Sequence, residues 1–486
     1  MGAGTALLEF AARARVEELP PPAVEVARLA LLDWWGVTVA GATEPVSRRL
    51  GAVVREGTGP VSVLGTTRRA SPVTAALLNG TAAHALDYDD THLDLPGHLT
   101  APIVPGLLAL AESRHLGGRP LLAAFAVGAE VMCRLGRAFG RDHYRLGWHA
   151  TTTLGRLGGA IAAGRLAGLD ARLLDQAFGL AAAQLGGIQE SFGTMAKPFQ
   201  VGRAASDALL AALLAEAGVT GGSGLLGRDD WTRRLSSAWA PAALEDGLGH
   251  RWHFTEVLFK RYPCCFATHA AIRALLSFQP APDPAAIQAV DLEICPTTLQ
   301  VANQVAPRTG LGGKFSITHC AAVALRRGWV AEADFTDEAV ADRGLRALAG
   351  RVRLHATSAL DETRARRCPP RRRRRPRVVG RPPGWRRADR ASPGPGPEAP
   401  RPAGSAPRPG ARDGDRGRAR ADRRVERRRR AGSPVRASTP PASRGGRRTA
   451  PVRPFPGREP DPRRSDPGRD QGRRARHSNR ALRARP

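Results

Sequence analysis

Through most of the first 278 positions, apolar side chains recur at helical spacing and turn signals interrupt them. PPPAVEVARLALLDWWGVTVAG, from Pro20 to Gly41, pairs prolines at its start with a periodic apolar face, which predicts a buried helix. Gly51 to Arg69 sets Gly, Pro and Thr around short Val/Leu runs and predicts a loop or a small strand pair. Ser71-Pro72 then opens PVTAALLNGTAAHALD, with Ser as the cap and Pro in the first turn. Helices are predicted at Ala101–His115, Pro120–Phe139, Ala150–Leu166 and Ala171–Leu185, and at Val201–Ala217 after a turn in FGTMAKPFQ. Several of these are apolar nearly all round, as buried helices are. Beyond Gln279 the period changes. AIQAVDLEI and RVRLHAT alternate like half-buried strands, with helices predicted at Lys314–Arg327 and Asp337–Ala349 between them. The fold class expected is therefore mainly α. Residues 1–278 form a large all-helical domain, 279–365 a smaller and incomplete α+β lid, and 366–486 a disordered tail.

Composition changes the picture at one point. From Arg366 onward there are 39 Arg and no Lys against 10 Asp plus Glu, which is +29 of the formal +30. The body up to Ala365 is nearly neutral, so the basic character belongs to the tail. That tail has too few apolar side chains to offset the entropy of ordering. Its arginines would grip nucleic acid only non-specifically, and Trp385 and Phe455 alone offer little base stacking. The six cysteines make no C-x-x-C pair, which argues against a zinc or iron–sulfur centre. The first residues carry charges inside their apolar run, unlike a signal peptide, and no uncharged run reaches bilayer length. A cytoplasmic protein with no membrane contact is expected.

The chemistry concentrates in four polar segments set in apolar helix. HALDYDDTHLDLPGHLTAP, from His84 to Pro102, holds Asp87, Asp89, Asp90, Thr91, His92 and His98. GWHATTTLG holds His149, FGTMAKPFQVGRAA holds Lys197, and FKRYPCCFATHAA holds Lys260 and His269. Histidines can move protons near neutral pH, and Asp87 can act as a base or orient an imidazole. Lys197 is one of three lysines, with Lys260 and Lys314, in a chain whose other cations are Arg. A compact ammonium in a tight turn looks chosen. Such groups in one pocket suit a small polycarboxylate and could stabilise the enolate left when a neighbouring proton departs. The plainer reading is kept for the rest. His115, His250, His253 and His355 read as structural, Lys260-Arg261 could equally be a surface pair, and Cys264, Cys265, Trp34 and Trp35 read as core.

These segments resemble the MmgE/PrpD family, which includes 2-methylcitrate dehydratase, cis-aconitate decarboxylase and iminodisuccinate epimerase. The motifs are HALDYDDTH, GHLTAPIVPGLLAL, GWHATTTLG, FGTMAKPFQVGRAA and YPCCFATHAA, and the likeness runs to about Ala365. The resemblance implies a helical domain and an α+β lid with the site between them, no cofactor and no metal. It implies a lyase, a dehydratase or decarboxylase, acting on a small polycarboxylic acid such as 2-methylcitrate or cis-aconitate. An epimerase and an inactive remnant are the alternatives. By motif the catalytic positions fall on Asp87, Thr91, His98, His149, Lys197 and His269. Lys260, from the residues alone, and His319, at the family's tyrosine position, are expected to bind substrate. His319 stands in KFSITHC where the family commonly has a tyrosine. Apolar helix faces suit a homodimer. The family's lid also continues past Ala365, so the abrupt Arg/Pro/Ala/Gly composition reads as a frameshift near Arg364 to Cys368.

Overall fold

The computed structural model describes residues 2–55, 58–278, 281–361, 363 and 365–368. The frameshift reading and the tail beyond Cys368 lie outside the described residues. The chain opens with α1 (Ala3–Arg13), α2 (Pro21–Gly41) and α3 (Pro45–Val53). A two-residue antiparallel pair follows, β1 (Val61–Ser62) with β2 (Arg69–Ala70), which is the small strand pair anticipated there. Next come α4 (Pro72–Ala85), α5 (Thr100–Arg114), α6 (Gly118–Arg145) and α7 (Ala150–Leu166). Then follow α8 (Ala171–Ala182), α9 (Ala196–Glu216) and α10 (Asp229–Leu235). No helix among the described residues is long and apolar enough to cross a membrane.

The core of this part is rich in Ala, Leu and Gly, and small residues set its geometry. Helices α4 and α9 touch at Gly80 and Gly202. A Cβ on Gly202 would lie 2.1 Å from Thr81 Oγ1 and 2.4 Å from the Leu77 carbonyl oxygen. Only a glycine permits this approach, and the approach sets the first turn of α9 beside the last turn of α4. Buried Trp34, Phe125, Phe139, Phe178 and Phe254 fill the wider spaces around it.

The second part holds α11 (Phe266–Leu276), β3 (Val290–Ile294), α12 (Pro296–Val301) and α13 (Gly310–Gly313). It continues with α14 (Ile317–Arg327), α15 (Asp337–Ala341), α16 (Arg343–Ala349), β4 (Val352–Ala356) and β5 (Ala365–Cys368). Strand β3 is central in the order β4-β3-β5, parallel to β4 and antiparallel to β5. Its alternation is as read: Val290, Leu292 and Ile294 are buried, and Asp291 and Glu293 are not.

Four placements differ from the reading of the sequence. Tyr262, Cys264, Ala271, Ile272 and Leu275 pack with Leu292, Val323 and Leu345 in the lid's own core. Helix α11, placed in the helical domain by the sequence reading, thus packs against the lid's strands and helices. Strand β5 covers 365–368, so the lid's sheet runs past the end assigned at 365. The helix expected over Asp337–Ala349 is two, because the Asp342 carboxylate caps a new start at Leu345 N. Finally, Lys197 lies in the first turn of α9, not in a turn before it; Pro198 is tolerated there because first-turn N–H groups have no helical partner.

Candidate active site

Helix α4 ends at Ala85, and the chain then turns through Asp87, which takes a left-handed φ of 51°. An aspartate tolerates this conformation better than most side chains. The turn brings Asp87, Asp89 and Asp90 into the interior, each no more than 2 % exposed. All three lysines converge on this short segment. Lys197 Nζ donates to Asp87 Oδ1 at 2.7 Å and to His84 Nε2 at 2.6 Å. Lys260 Nζ donates to the Asp87 carbonyl oxygen at 2.7 Å and lies 3.3 Å from Asp87 Oδ1. Lys314, from the lid, donates to the carbonyls of Leu86 (2.6 Å) and Pro263 (2.9 Å). Cations at the carbonyl end of α4 complement its dipole. Lys197 at the positive end of α9 opposes that helix's dipole, and its ion pair with Asp87 offsets this.

The partners fix the imidazole tautomers. His84 Nε2 accepts from the Lys197 ammonium, so Nδ1 carries the proton and donates to Asp89 Oδ2 at 2.7 Å. His98 Nδ1 contacts the Asp90 carbonyl oxygen, an acceptor only, and lies 3.3 Å from Asp89 Oδ2. Its proton is therefore on Nδ1, and Nε2 is left as a base. His149 Nδ1 donates to Gln200 Oε1 at 3.0 Å, and Gln200 is oriented by donating to Ser191 Oγ at 2.6 Å. His149 Nε2 is likewise a lone pair, buried and without a hydrogen-bond partner. The three rings sit together: His84 lies 4.7 Å from His98 and 5.9 Å from His149, centroid to centroid.

Electrostatics agrees with these assignments. Burial and the Lys197 charge hold His84 and His149 well below the usual imidazole range. Burial does the same for His98 against the pull of Asp89. Burial alone would raise Asp87, but Lys197 and Lys260 outweigh it and keep the carboxyl well below the ordinary range. Asp90 is pushed up to about 8 by burial and by Asp89 and Asp33; its carboxyl accepts from the N–H groups of Leu99 and Thr100 that open α5. His84, Asp87, Asp89 and His98 place ligating atoms within 4.8 Å of one another, a set that could hold a cation. The Lys197 ammonium already bridges His84 Nε2 and Asp87 Oδ1, so the charge a metal would bring is supplied by a side chain.

A cleft of about 660 Å³, open solvent included, lies against this cluster between the two parts. Asp87, Thr91, His98, His149 and Lys197 line it. So do His92, Arg141, Tyr144 and Thr151 from the helical part, and Cys265, Phe266, Thr297, Thr298, Val301 and Phe315 from the lid. Helices α7, α9 and α11 all begin at the cleft, so three positive helix ends face it. The threonines of GWHATTTLG are accounted for. Thr151 Oγ1 accepts from His98 N, Thr152 bonds the His149 carbonyl, and Thr153 bonds His143.

Three expected site residues are elsewhere. Lys260 is buried behind Asp87 and reaches that residue rather than the cleft. His269 bonds through Nε2 to the carbonyls of Tyr262 (3.1 Å) and Cys264 (3.3 Å) and is not among the lining residues. His319 donates from Nε2 to the Asp334 carbonyl at 2.9 Å within the lid. Conversely, His84, Arg141, Tyr144 and Gln200 were not singled out. His84 opens the motif HALDYDDTH, but its place in the last turn of an Ala-rich helix gives it no signal of its own. Cys265, read as a core residue, lines the cleft, and burial pushes its thiol up to about 12.

The chain is thus a helical protein with a small α+β part and a buried ammonium–carboxylate–imidazole cluster. The chain matches the MmgE/PrpD N-terminal domain over residues 5–239 and the MmgE/PrpD C-terminal domain over 262–380, and it belongs to that family. It is 29 % identical over 295 residues to a cis-aconitate decarboxylase of Aspergillus terreus, covering 57 % of this chain and 60 % of that protein. It is 32 % identical over 209 residues to human cis-aconitate decarboxylase (41 % and 43 %). The mouse protein of that name is 29 % identical over 302 residues (59 % and 61 %). The matched stretch thus spans about 60 % of the length of the longest-matched of these relatives.

Proposed function

We propose that the cleft binds a small polycarboxylic acid and that the chain acts on it as a lyase without a cofactor. Cis-aconitate is the first candidate, from the names of the relatives. One observation carries the reading. Asp87 Oδ2 and His149 Nε2 are buried acceptors without partners, on cleft residues that flank the Lys197 ammonium. Buried polar atoms are rarely left unpaired without a reason. Here His149 Nε2 can take a proton, the ionised Asp87 carboxylate holds the ammonium in place, and the ammonium and the helix ends hold negative charge.

In this scheme Lys197 and the positive ends of α7 and α9 bind carboxylate oxygens. On decarboxylation the C–C bond breaks, CO2 leaves, and the electron pair stays on carbon conjugated to a remaining carboxylate. Lys197 stabilises that charge. A proton then returns to carbon from one of the groups lining the cleft. His98 and His149, neutral near pH 7, serve as acceptors when the reaction begins instead with loss of a proton beside a carboxylate, as in a dehydration or epimerisation. His84 and Asp89 act through Lys197 and His98 by fixing where their protons lie.

The test is to incubate the purified full chain with cis-aconitate, 2-methylcitrate and iminodisuccinate separately, following each by proton NMR. Release of CO2 from cis-aconitate is expected. Turnover of 2-methylcitrate alone would move the assignment to a dehydratase. A folded chain that binds and converts none of the three would refute the lyase reading.

A further inference from the structure

Residues 186–192 run as a strap beside the start of α7, antiparallel to the segment that carries His149, with a bridge between Trp148 and Ile188. The strap is tied down along its length. The Gly187 carbonyl accepts from His149 N (3.1 Å), and Gln189 N donates to the Gly147 carbonyl (2.9 Å). Gln189 Nε2 donates to the Trp148 carbonyl (3.1 Å). The Gly186 carbonyl accepts from Thr152 Oγ1 (3.0 Å) and from Nη1 of Arg156 (3.3 Å), a buried arginine of α7. Arg156 also pairs through Nη2 with Asp207 Oδ2 of α9 (3.1 Å), so the strap is fastened to both helices. Gly187 takes φ 119°, and a Cβ there would lie 1.8 Å from Thr152 Oγ1. Only glycine lets the strap lie this close.

The strap has a polarity that it passes on. The Ile188 carbonyl, 3.5 Å from Gln200 Nε2, can only accept, so that end of the Gln200 amide is its NH2 group. The same NH2 group donates to Ser191 Oγ at 2.6 Å. Gln200 Oε1 is therefore the end that meets His149 Nδ1 at 3.0 Å, and Nδ1 has to carry the N–H. We propose that Gln200 is a positioning residue: it transfers the polarity of the strap to His149, fixing the ring proton on Nδ1 and keeping Nε2 as the acceptor in the reaction. The inference rests on the reading of His149 as a group that takes a proton in the cleft. The charged and titratable groups around the ring are Lys197 of α9, His84 of α4 and Asp87 just beyond it, with His98, Arg141 and Tyr144 lining the same cleft. Against these, the neutral amide has a specific use. A carboxylate in its place would draw a second proton onto the ring, and a hydrocarbon would leave Nδ1–H without an acceptor.

The tautomer itself is the first readout, and it needs no turnover. Long-range proton–nitrogen NMR of the histidine rings is recorded near pH 7 on the full-length parent, Gln200→Met and Gln200→Glu, with the His149 signals assigned by their loss in His149→Asn and folding checked by melting curves. The parent is expected to carry the proton on Nδ1. Gln200→Met, of similar shape but without the amide oxygen, should let the proton spread to Nε2, whereas Gln200→Glu, still an acceptor, should keep Nδ1 protonated. In the second readout, Gln200→Met should lower kcat by roughly 10- to 100-fold with KM within about twofold, on whichever acid the parent converts. A His149 ring protonated on Nε2 in the parent overturns the proposal without any variant. So does a Gln200→Met ring that keeps the parental tautomer, a Gln200→Glu ring indistinguishable from Gln200→Met, or a parental kcat in Gln200→Met. A parent with the expected tautomer that converts none of the acids leaves the proton placement standing and removes the lyase reading alone.

Discussion

The helical wall of the cleft presents Asp87, His98, His149 and Lys197, whereas the lid wall presents Phe266, Thr297, Thr298, Val301 and Phe315. On the helical side Asp87, His98, His149 and Lys197 are buried; Lys197 is paired with Asp87, His98 lies against Asp89, and His149 is held by the Gln200 amide. On the lid side the described lining residues carry no charge. The lid instead sends Lys314 past the cleft to hold the carbonyl end of α4, and it sets Phe315 5.2 Å from the Lys197 ammonium, with Phe192 at 5.3 Å on the helical side. The difference assigns the work. On the reading proposed above, the helical part would hold protons and charge in fixed places, while the lid would lower the local dielectric and brace the carboxylate turn.

This division can be attacked at each level. The largest effect is expected from Lys197→Ala, which removes the cleft ammonium and leaves His84 and half of the Asp87 pairing without a partner. Turnover of any accepted substrate should fall by at least about a thousandfold, measured by NMR or calorimetry. A wild-type rate would take Lys197 out of the site. His84→Ala follows, with a loss of about a hundredfold in kcat and little change in KM, because His84 acts through Lys197 and Asp89 rather than on substrate. A change confined to KM would instead place His84 among the binding groups.

Lys314→Met tests the lid's share. Two buried carbonyls lose their donor, at about 2–4 kcal/mol in all, so the melting temperature should drop while any remaining activity keeps its pH profile. A shifted profile with unchanged stability would mean that the lid takes part in proton handling.

The smallest effect is a slope. Asp90, held near pH 8 by burial, Asp89 and Asp33, binds a proton in the folded state that the unfolded chain has released above about pH 4. The parent therefore loses stability from this group as pH rises from about 4 to 8. Asp90→Asn keeps an oxygen to accept from Leu99 N and Thr100 N but cannot ionise. Its melting temperature relative to the parent should climb across that window; parallel curves would show that Asp90 is charged in the fold.

Much of the fold was legible because periodicity reports which face is buried. Helix α7 was bounded at Ala150–Leu166, and β3 announced itself by alternation. What periodicity missed were choices made between elements. The affiliation of α11 turns on whether Ile272 and Leu275 meet helices or the sheet, and an apolar face alone does not say. His84 carried no distinguishing signal of its own in an Ala-rich helix. Its role exists only because Gly80 and Gly202 let α9 come close enough for Lys197 to reach it. Lys260, His269 and His319 were visible as candidates, but side-chain direction at those positions is set by backbone carbonyls contributed from elsewhere.

The sequence by itself determined the helical body, the alternating strands, the break in composition and the small set of residues able to carry chemistry, since these follow from local pattern and residue type. Tertiary structure alone decided which of those residues face one another. Packing distance and burial fixed the tautomers of His84, His98 and His149, separated the three lysines into one that lines the cleft and two that brace its floor, and brought Arg141 to the cavity, because hydrogen-bond direction and desolvation depend on neighbours distant in the chain.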